Sequence, residues 1–194
     1  MNFLAHSFLS GNSSEVMVGN FIADFVKGKK YLQYPDGIKK GILLHREIDH
    51  FTDQHELVRQ SKDKLRSRYR HYSGVIVDIF YDHFLAAGWD QYSELSLLPF
   101  TQQLYHHVGS YETILPAKVQ YILPHMRKNN WLLSYATIAG VQRTLTGMSM
   151  RTKYQSNMEN AVGELEASYE QFRQEFHQFF PQAITFSQNK LAQL

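Results

Sequence analysis

Val75-Ile76-Val77-Asp78-Ile79-Phe80-Tyr81-Asp82-His83-Phe84-Leu85-Ala86 is apolar almost all round when wound at helical period, and Gly88 stands where such a helix would close. The segments around it keep the same period. Asn12 to Ser14 offer an N-cap to a run reaching Val26, with Gly28 at its stop. Pro35 and Asp36 open a second run, apolar at Ile38, Ile42, Ile48 and Phe51. Thr52 or Asp53 can cap a third, charged run from about His55 to Arg70, and the quoted segment belongs to a fourth, from Tyr72 to about Ala87. Residues 91–99 read as a loop, and shorter helical segments follow, punctuated by Pro116, Pro124, Gly140 and Gly147. Residues 152–180 read as one long amphipathic helix, with Leu165, Tyr169, Phe172, Phe176 and Phe179 at helical spacing; core packing explains that aromatic stripe better than a ligand groove does. Short β-branched runs lack hairpin turn signals. The expectation is an all-α protein, a single-domain helical bundle over residues 1–194.

The composition agrees. With 43% hydrophobic and 20% charged residues among 194, the chain is long and apolar enough to bury a sizeable core and is not disordered. A formal net charge of +2 is too mild to announce a nucleic-acid binder. Zero cysteines exclude disulfides, thiolate metal sites and cysteine nucleophiles, so any metal must be held by His, Asp or Glu. No stretch reaches the length of a membrane span, and residues 1–14 lack the basic start of a signal peptide. A cytoplasmic protein without membrane or nucleic-acid partners is expected; oligomeric state is not readable.

Polar groups interrupt the apolar runs. Asp78 and Asp82 lie one turn apart on one face of their helix, where like charges repel and burial adds to the cost. A cation must compensate, either a metal or a basic side chain such as Arg46. His83 projects roughly 100° away from Asp82. His45 and Asp49 are also four apart, on the inward stripe begun by Ile38 and Ile42, and can offer an imidazole nitrogen and a carboxylate oxygen to one cation. Asp24 sits in the apolar run 18–26 with Asn20 one turn before it, and His6 sits in the apolar start 2–6. Singly, such residues are more often satisfied core or capping groups; together they favour a composite site. Oxygen and imidazole ligation without sulfur suits Mn²⁺, Mg²⁺, Fe²⁺ or Zn²⁺.

Met1-Asn2-Phe3-Leu4-Ala5-His6, the run Gly19 to Gly28, the run Gly41 to Asp49, Phe51-Thr52-Asp53, the run Asp78 to Leu85 and the late Leu145-Thr146-Gly147-Met148-Ser149-Met150-Arg151 together resemble the acyl carrier protein phosphodiesterase family, in order and over nearly the whole chain. The resemblance implies a distorted relative of the all-helical HD-domain metal phosphohydrolases. It implies removal of 4′-phosphopantetheine from holo acyl carrier protein, dependent on Mn²⁺, with Mg²⁺ or Fe²⁺ as alternatives. The adjacent pair here reads Asp82-His83, the reverse of the usual HD order. His45, Asp49, Asp78 and Asp82 are the expected metal shell, with Asp24 and His6 next. Arg46 and Arg151 would bind phosphate, since a guanidinium matches its geometry, and His83 would protonate the leaving serine oxygen. Lys27, Lys29, Lys30, Lys39 and Lys40 would meet the acidic carrier protein. A second basic run, Lys62, Lys64, Arg66, Arg68 and Arg70, reads equally as a solvated face. Two other functions fit the same residues: a phosphohydrolase of nucleotides or small phosphodiesters, and a non-catalytic helical binding module.

Overall fold

α5 (Ser73–Ala87) is the hub of the computed structural model, which describes residues 1–194. Its all-round apolar surface is met on every side, by α1 (Phe3–Phe8), α4 (Glu56–Tyr69), α9 (Ile138–Ser149) and α11 (Tyr169–Gln193). Ile76, Val77, Ile79, Phe80, Tyr81 and Leu85 are each 1% exposed or less. Full burial of such side chains contributes about 1.5–3 kcal/mol apiece. The remaining helices are α2 (Ser14–Ile22), α3 (Asp36–Gln54), α6 (Leu97–Ser110), α7 (Ala117–Asn129), α8 (Trp131–Ser134) and α10 (Ala161–Ala167), with short 3₁₀ turns between them. There is no strand, and one apolar cluster runs through the bundle. No helix is long and apolar enough to cross a membrane.

Local chemistry places the helix ends. The Ser13 hydroxyl accepts from Val16 N–H at the start of α2, and Gly28 takes φ 59° beyond it. α2 itself stops at Ile22; Ala23–Phe25 tighten into a 3₁₀ turn, which swings Asp24 out to solvent. α4 is capped by His55, whose Nδ1 accepts from Leu57 N–H at 3.3 Å, and not by Thr52 or Asp53. The expected loop at 91–99 ends early. α6 begins at Leu97 and carries Pro99 in its first turn, where no backbone donor is needed.

The long C-terminal helix expected over 152–180 is instead three pieces. Residues 152–157 are irregular, with Asn157 in the left-handed region; α10 follows a 3₁₀ turn, and Ser168 separates it from α11. α11 then runs past Pro181 to Gln193. The aromatic stripe does pack as core: Phe172 meets Phe80 edge-on, and Phe176 lies against Tyr81 and Phe84.

The crossing of α2 and α3 positions the polar groups. Gly19 and Gly41 face each other so closely that a Cβ on Gly19 would lie 2.1 Å from Ile38 O, and one on Gly41 2.1 Å from Val16 O. Asn20, next after Gly19, and His45, one turn after Gly41, therefore come within hydrogen-bonding reach.

Candidate metal centre

Three segments meet at one place: α1 brings His6, α2 and the 3₁₀ turn after it bring Asn20 and Asp24, and α3 brings His45 and Asp49. The imidazoles of His6 and His45 stack with centroids 3.9 Å apart. Between their near edges stands Asn20. Its Oδ1 lies 3.0 Å from His6 Nδ1 and 3.0 Å from His45 Nδ1. Its Nδ2 donates to His6 O at 2.8 Å and to Ser10 Oγ at 2.9 Å. Those donations fix the amide orientation. Oδ1 must then accept from both rings, so each histidine carries its proton on Nδ1 and turns Nε2 the other way.

The two Nε2 atoms converge on Asp49. His6 Nε2 is 3.1 Å from Asp49 Oδ1, and His45 Nε2 is 3.1 Å from Asp49 Oδ2. Yet buried His6 Nε2 makes no hydrogen bond. An orphaned buried acceptor beside a carboxylate, with its other nitrogen already satisfied, is what a cation site requires. One ligand atom from each of His6, His45 and Asp49 lies within 4.8 Å of the others. Asp24 Oδ1, 3.3 Å from His45 Nε2, adds a second carboxylate. Two imidazoles, two carboxylates and no sulfur fit a divalent metal such as Mn²⁺, Fe²⁺ or Zn²⁺.

Electrostatics splits the two histidines. Burial, and then repulsion from His45, lowers His6 to about 4, so it is neutral at neutral pH. Burial alone would lower His45 too, but the carboxylates of Asp24 and Asp49 outweigh it and raise it to about 9. Asp49 is held far below the usual carboxylate range: burial pushes it up, and the two imidazoles pull it down further. The imidazoles are 3% and 8% exposed, whereas Asp49 and Asp24 are 44% and 63% exposed. The site is thus a buried nitrogen floor with an open carboxylate mouth, accessible to a group carried on a large molecule.

Four of the six expected metal ligands gather here, and two do not. Asp78 and Asp82 bind the start of the chain. The Met1 ammonium is 2.7 Å from Asp78 Oδ1. Asp82, fully buried, accepts from the backbone N–H groups of Asn2, Leu4 and Ala5 at 3.1, 2.9 and 3.2 Å. The compensating cation is therefore neither a metal nor an arginine. It is an ammonium beside first-turn amides of α1 that have no partner within the helix.

The other expected roles also move. Arg46 donates to Val26 O at 3.0 Å and Gly28 O at 2.8 Å and lies over the Tyr31 ring, so it fastens the lysine-bearing loop. His83 is buried, 2.7 Å from Tyr135 O and 3.0 Å from Tyr169 Oη, away from the cluster. Arg151 is exposed beyond α9, and its charge acts on Tyr135. Lys27, Lys29 and Lys30 are exposed around the Arg46-held loop; Lys39 pairs with Asp36 at 2.6 Å, and Lys40 lies exposed. Lys40 projects about 140° round α3 from His45. Asn20, noted in the sequence only as lying one turn before Asp24, was given no role there. Its signal was present, a lone amide in Val16-Met17-Val18-Gly19-Asn20-Phe21-Ile22.

Curated relatives agree over the whole length. A protein named acyl carrier protein phosphodiesterase from Photorhabdus laumondii is 33% identical, covering 98% of this chain and 96% of its own. Namesakes from Serratia proteamaculans and Yersinia pestis are 30% and 31% identical, each covering 98% of this chain and 99% of its own. No solved structure matches the chain. Residues 1–183 match the family described as acyl carrier protein phosphodiesterase, and to that family the chain belongs.

Proposed function

We propose that the protein hydrolyses the phosphodiester between 4′-phosphopantetheine and a serine of holo acyl carrier protein, releasing the apo carrier. His6, His45 and Asp49 hold the divalent metal, Mn²⁺ in the first instance, and Asp24 completes the shell. The observation that carries this reading is the pair of Nε2 atoms turned toward Asp49 by one amide, with His6 Nε2 left unbonded. A divalent metal supplies a Lewis acid for a phosphoryl oxygen and lowers the pKa of water. Asn20 holds both imidazoles in the ligating tautomer. Asp24, kept below the usual carboxylate range chiefly by its hydrogen bond from His45, stays ionised at the mouth.

The open mouth supports a substrate whose scissile bond sits at a protein surface. Lys27, Lys29, Lys30, Lys39 and Lys40 follow Asp24 in the chain and supply charge for an acidic partner, chiefly through faster association.

Mass spectrometry of holo carrier protein incubated with the enzyme tests the reading. Loss of the phosphopantetheine arm is expected with Mn²⁺, none with EDTA, and at least about 10²-fold less with His45→Ala or Asp49→Ala, since metal chemistry supplies several kcal/mol of transition-state stabilisation. Full activity in EDTA would exclude the metal. Turnover of nucleotides but not of holo carrier would replace the substrate.

A further inference from the structure

Asp53 follows Asp49 by one turn of α3, and its Oδ1 is 2.7 Å from Lys62 Nζ on α4. A hollow of about 550 Å³ opens beside this ion pair, lined by Lys62, Arg66, Arg70 and His71 together with the first residues of α5. No hydrophobic side chain lines it. Lys62 and Arg66 are one turn apart on α4, and Arg70 stands at its end, so the cations form a row on the order of 12 Å long. Against them stand Asp53, paired with Lys62, and Asp63, 3.3 Å from Arg66; Arg70 has no carboxylate partner. The start of α5 has no side-chain cap, and its amide end adds positive potential. Gly74 leaves the wall open: a Cβ there would meet only Lys62 Cε, at 3.7 Å. Arg70 is held at φ 51°, ψ −124°, a backbone region that costs a non-glycine residue about 1–3 kcal/mol and that collects at functional places.

We propose that this hollow docks an acidic helix of the protein substrate, placing it one helical turn from the metal ligand Asp49. The proposal rests on the hydrolytic reading and adds a surface to it. The hollow offers nothing to an apolar arm. Its cations are strung in a row and do not converge on one point, which suits carboxylates repeating along a partner helix better than a single phosphate. The lysine loop near Asp24 lies toward the other end of α3. The carrier would thus meet positive charge on both sides of the metal centre.

The test compares wild type with Arg66→Glu/Arg70→Gly. Glycine relieves the positive φ, so the fold should hold and the melting temperature should not fall. Lys128→Glu, at an exposed cation on α7 with no acidic partner, controls for two of the three units of charge that the double variant loses. Kinetics on holo carrier protein are read beside the Kd for apo carrier protein, which lacks the scissile bond, at low and high salt. In the double variant KM and Kd should both rise about tenfold with kcat within about twofold, and the salt dependence of Kd should flatten, while Lys128→Glu changes neither. Unchanged KM and Kd in the double variant would overturn the docking surface and leave the hydrolase reading intact. Loss of inorganic phosphate binding with carrier affinity retained would overturn it in favour of a small-anion site. No binding of carrier by wild type would overturn it too. Carrier binding that depends on the hollow, with no hydrolysis under any metal, would uphold the surface and sink the hydrolase.

Discussion

Asn20 Oδ1 serves two imidazoles at once, and the proton inventory of the site follows from that. With Nδ1 protonated on both rings, metal binding needs only the Nε2 positions free. His6, at about 4, already offers its lone pair at neutral pH, whereas His45, at about 9, does not. Binding must therefore displace one proton. Calorimetry in buffers of different ionisation heat should find about one proton released per metal at pH 7, with affinity rising about tenfold per pH unit up to the His45 value. Affinity independent of pH would contradict the assignment. The same shift fixes the sign of metal-free stability. A histidine raised from 6.5 to about 9 adds stability that is complete below 6.5 and lost as the pH climbs to about 9, so apo melting should decline across that window. Asp82 behaves differently. Asp82→Asn keeps an oxygen for the Asn2 and Ala5 amides but turns its NH₂ against Leu4 N–H, which should cost about 1–3 kcal/mol with or without metal. Melts in EDTA and in Mn²⁺ should fall alike; a loss confined to the metal-loaded form would return Asp82 to the metal shell.

The α2–α3 crossing converts sequence into site geometry. Gly41→Ala would drive a methyl group into Val16 O and open the crossing, withdrawing Asn20 from His45. A destabilisation of about 3 kcal/mol is expected, with weaker metal binding at temperatures where the protein is still folded. Retained metal affinity after such a loss would uncouple the crossing from the site. The boundaries that periodicity placed well are those where pattern and punctuation coincide: α3 opens after Pro35, and α5 closes at Gly88. It failed where apolar spacing continued across a break. Leu165 and Phe172 keep helical register, yet Ser168 separates their helices, because the break falls between apolar positions and leaves their spacing intact. Pro99 and Pro124 were poor stops. The first sits in an initial turn, and the second lies within α7, between the buried Leu123 and Met126.

The bundle as a whole explains which of the expected acids come together and which do not. The i, i+4 pair His45 and Asp49 could be placed together from the sequence because both partners share one face of α3. Asp78 and Asp82 share a face in the same way, but what they face is the chain start, a cation and a set of amides that carry no residue-type signal. Convergence of α1, α2 and α3 on one point is a tertiary fact. A metal held there would be a cross-link between His6, Asp24, His45 and Asp49, which are spread over 44 positions. A ligand that binds only the folded state stabilises it by mass action, about 2.7 kcal/mol at a free concentration of 100 Kd. For a chain of this size that corresponds to a rise of about 5–10 °C in melting temperature. Saturating Mn²⁺ should produce it in the wild type, and EDTA should reverse it. His6→Ala should abolish the rise although His6 lies on a different helix from His45, and Asp78→Asn should lower the apo melting temperature yet keep the rise. A full Mn²⁺ shift in His6→Ala would mean that α1 is no part of the site, and the metal would then belong to α3 and the Asp24 turn alone.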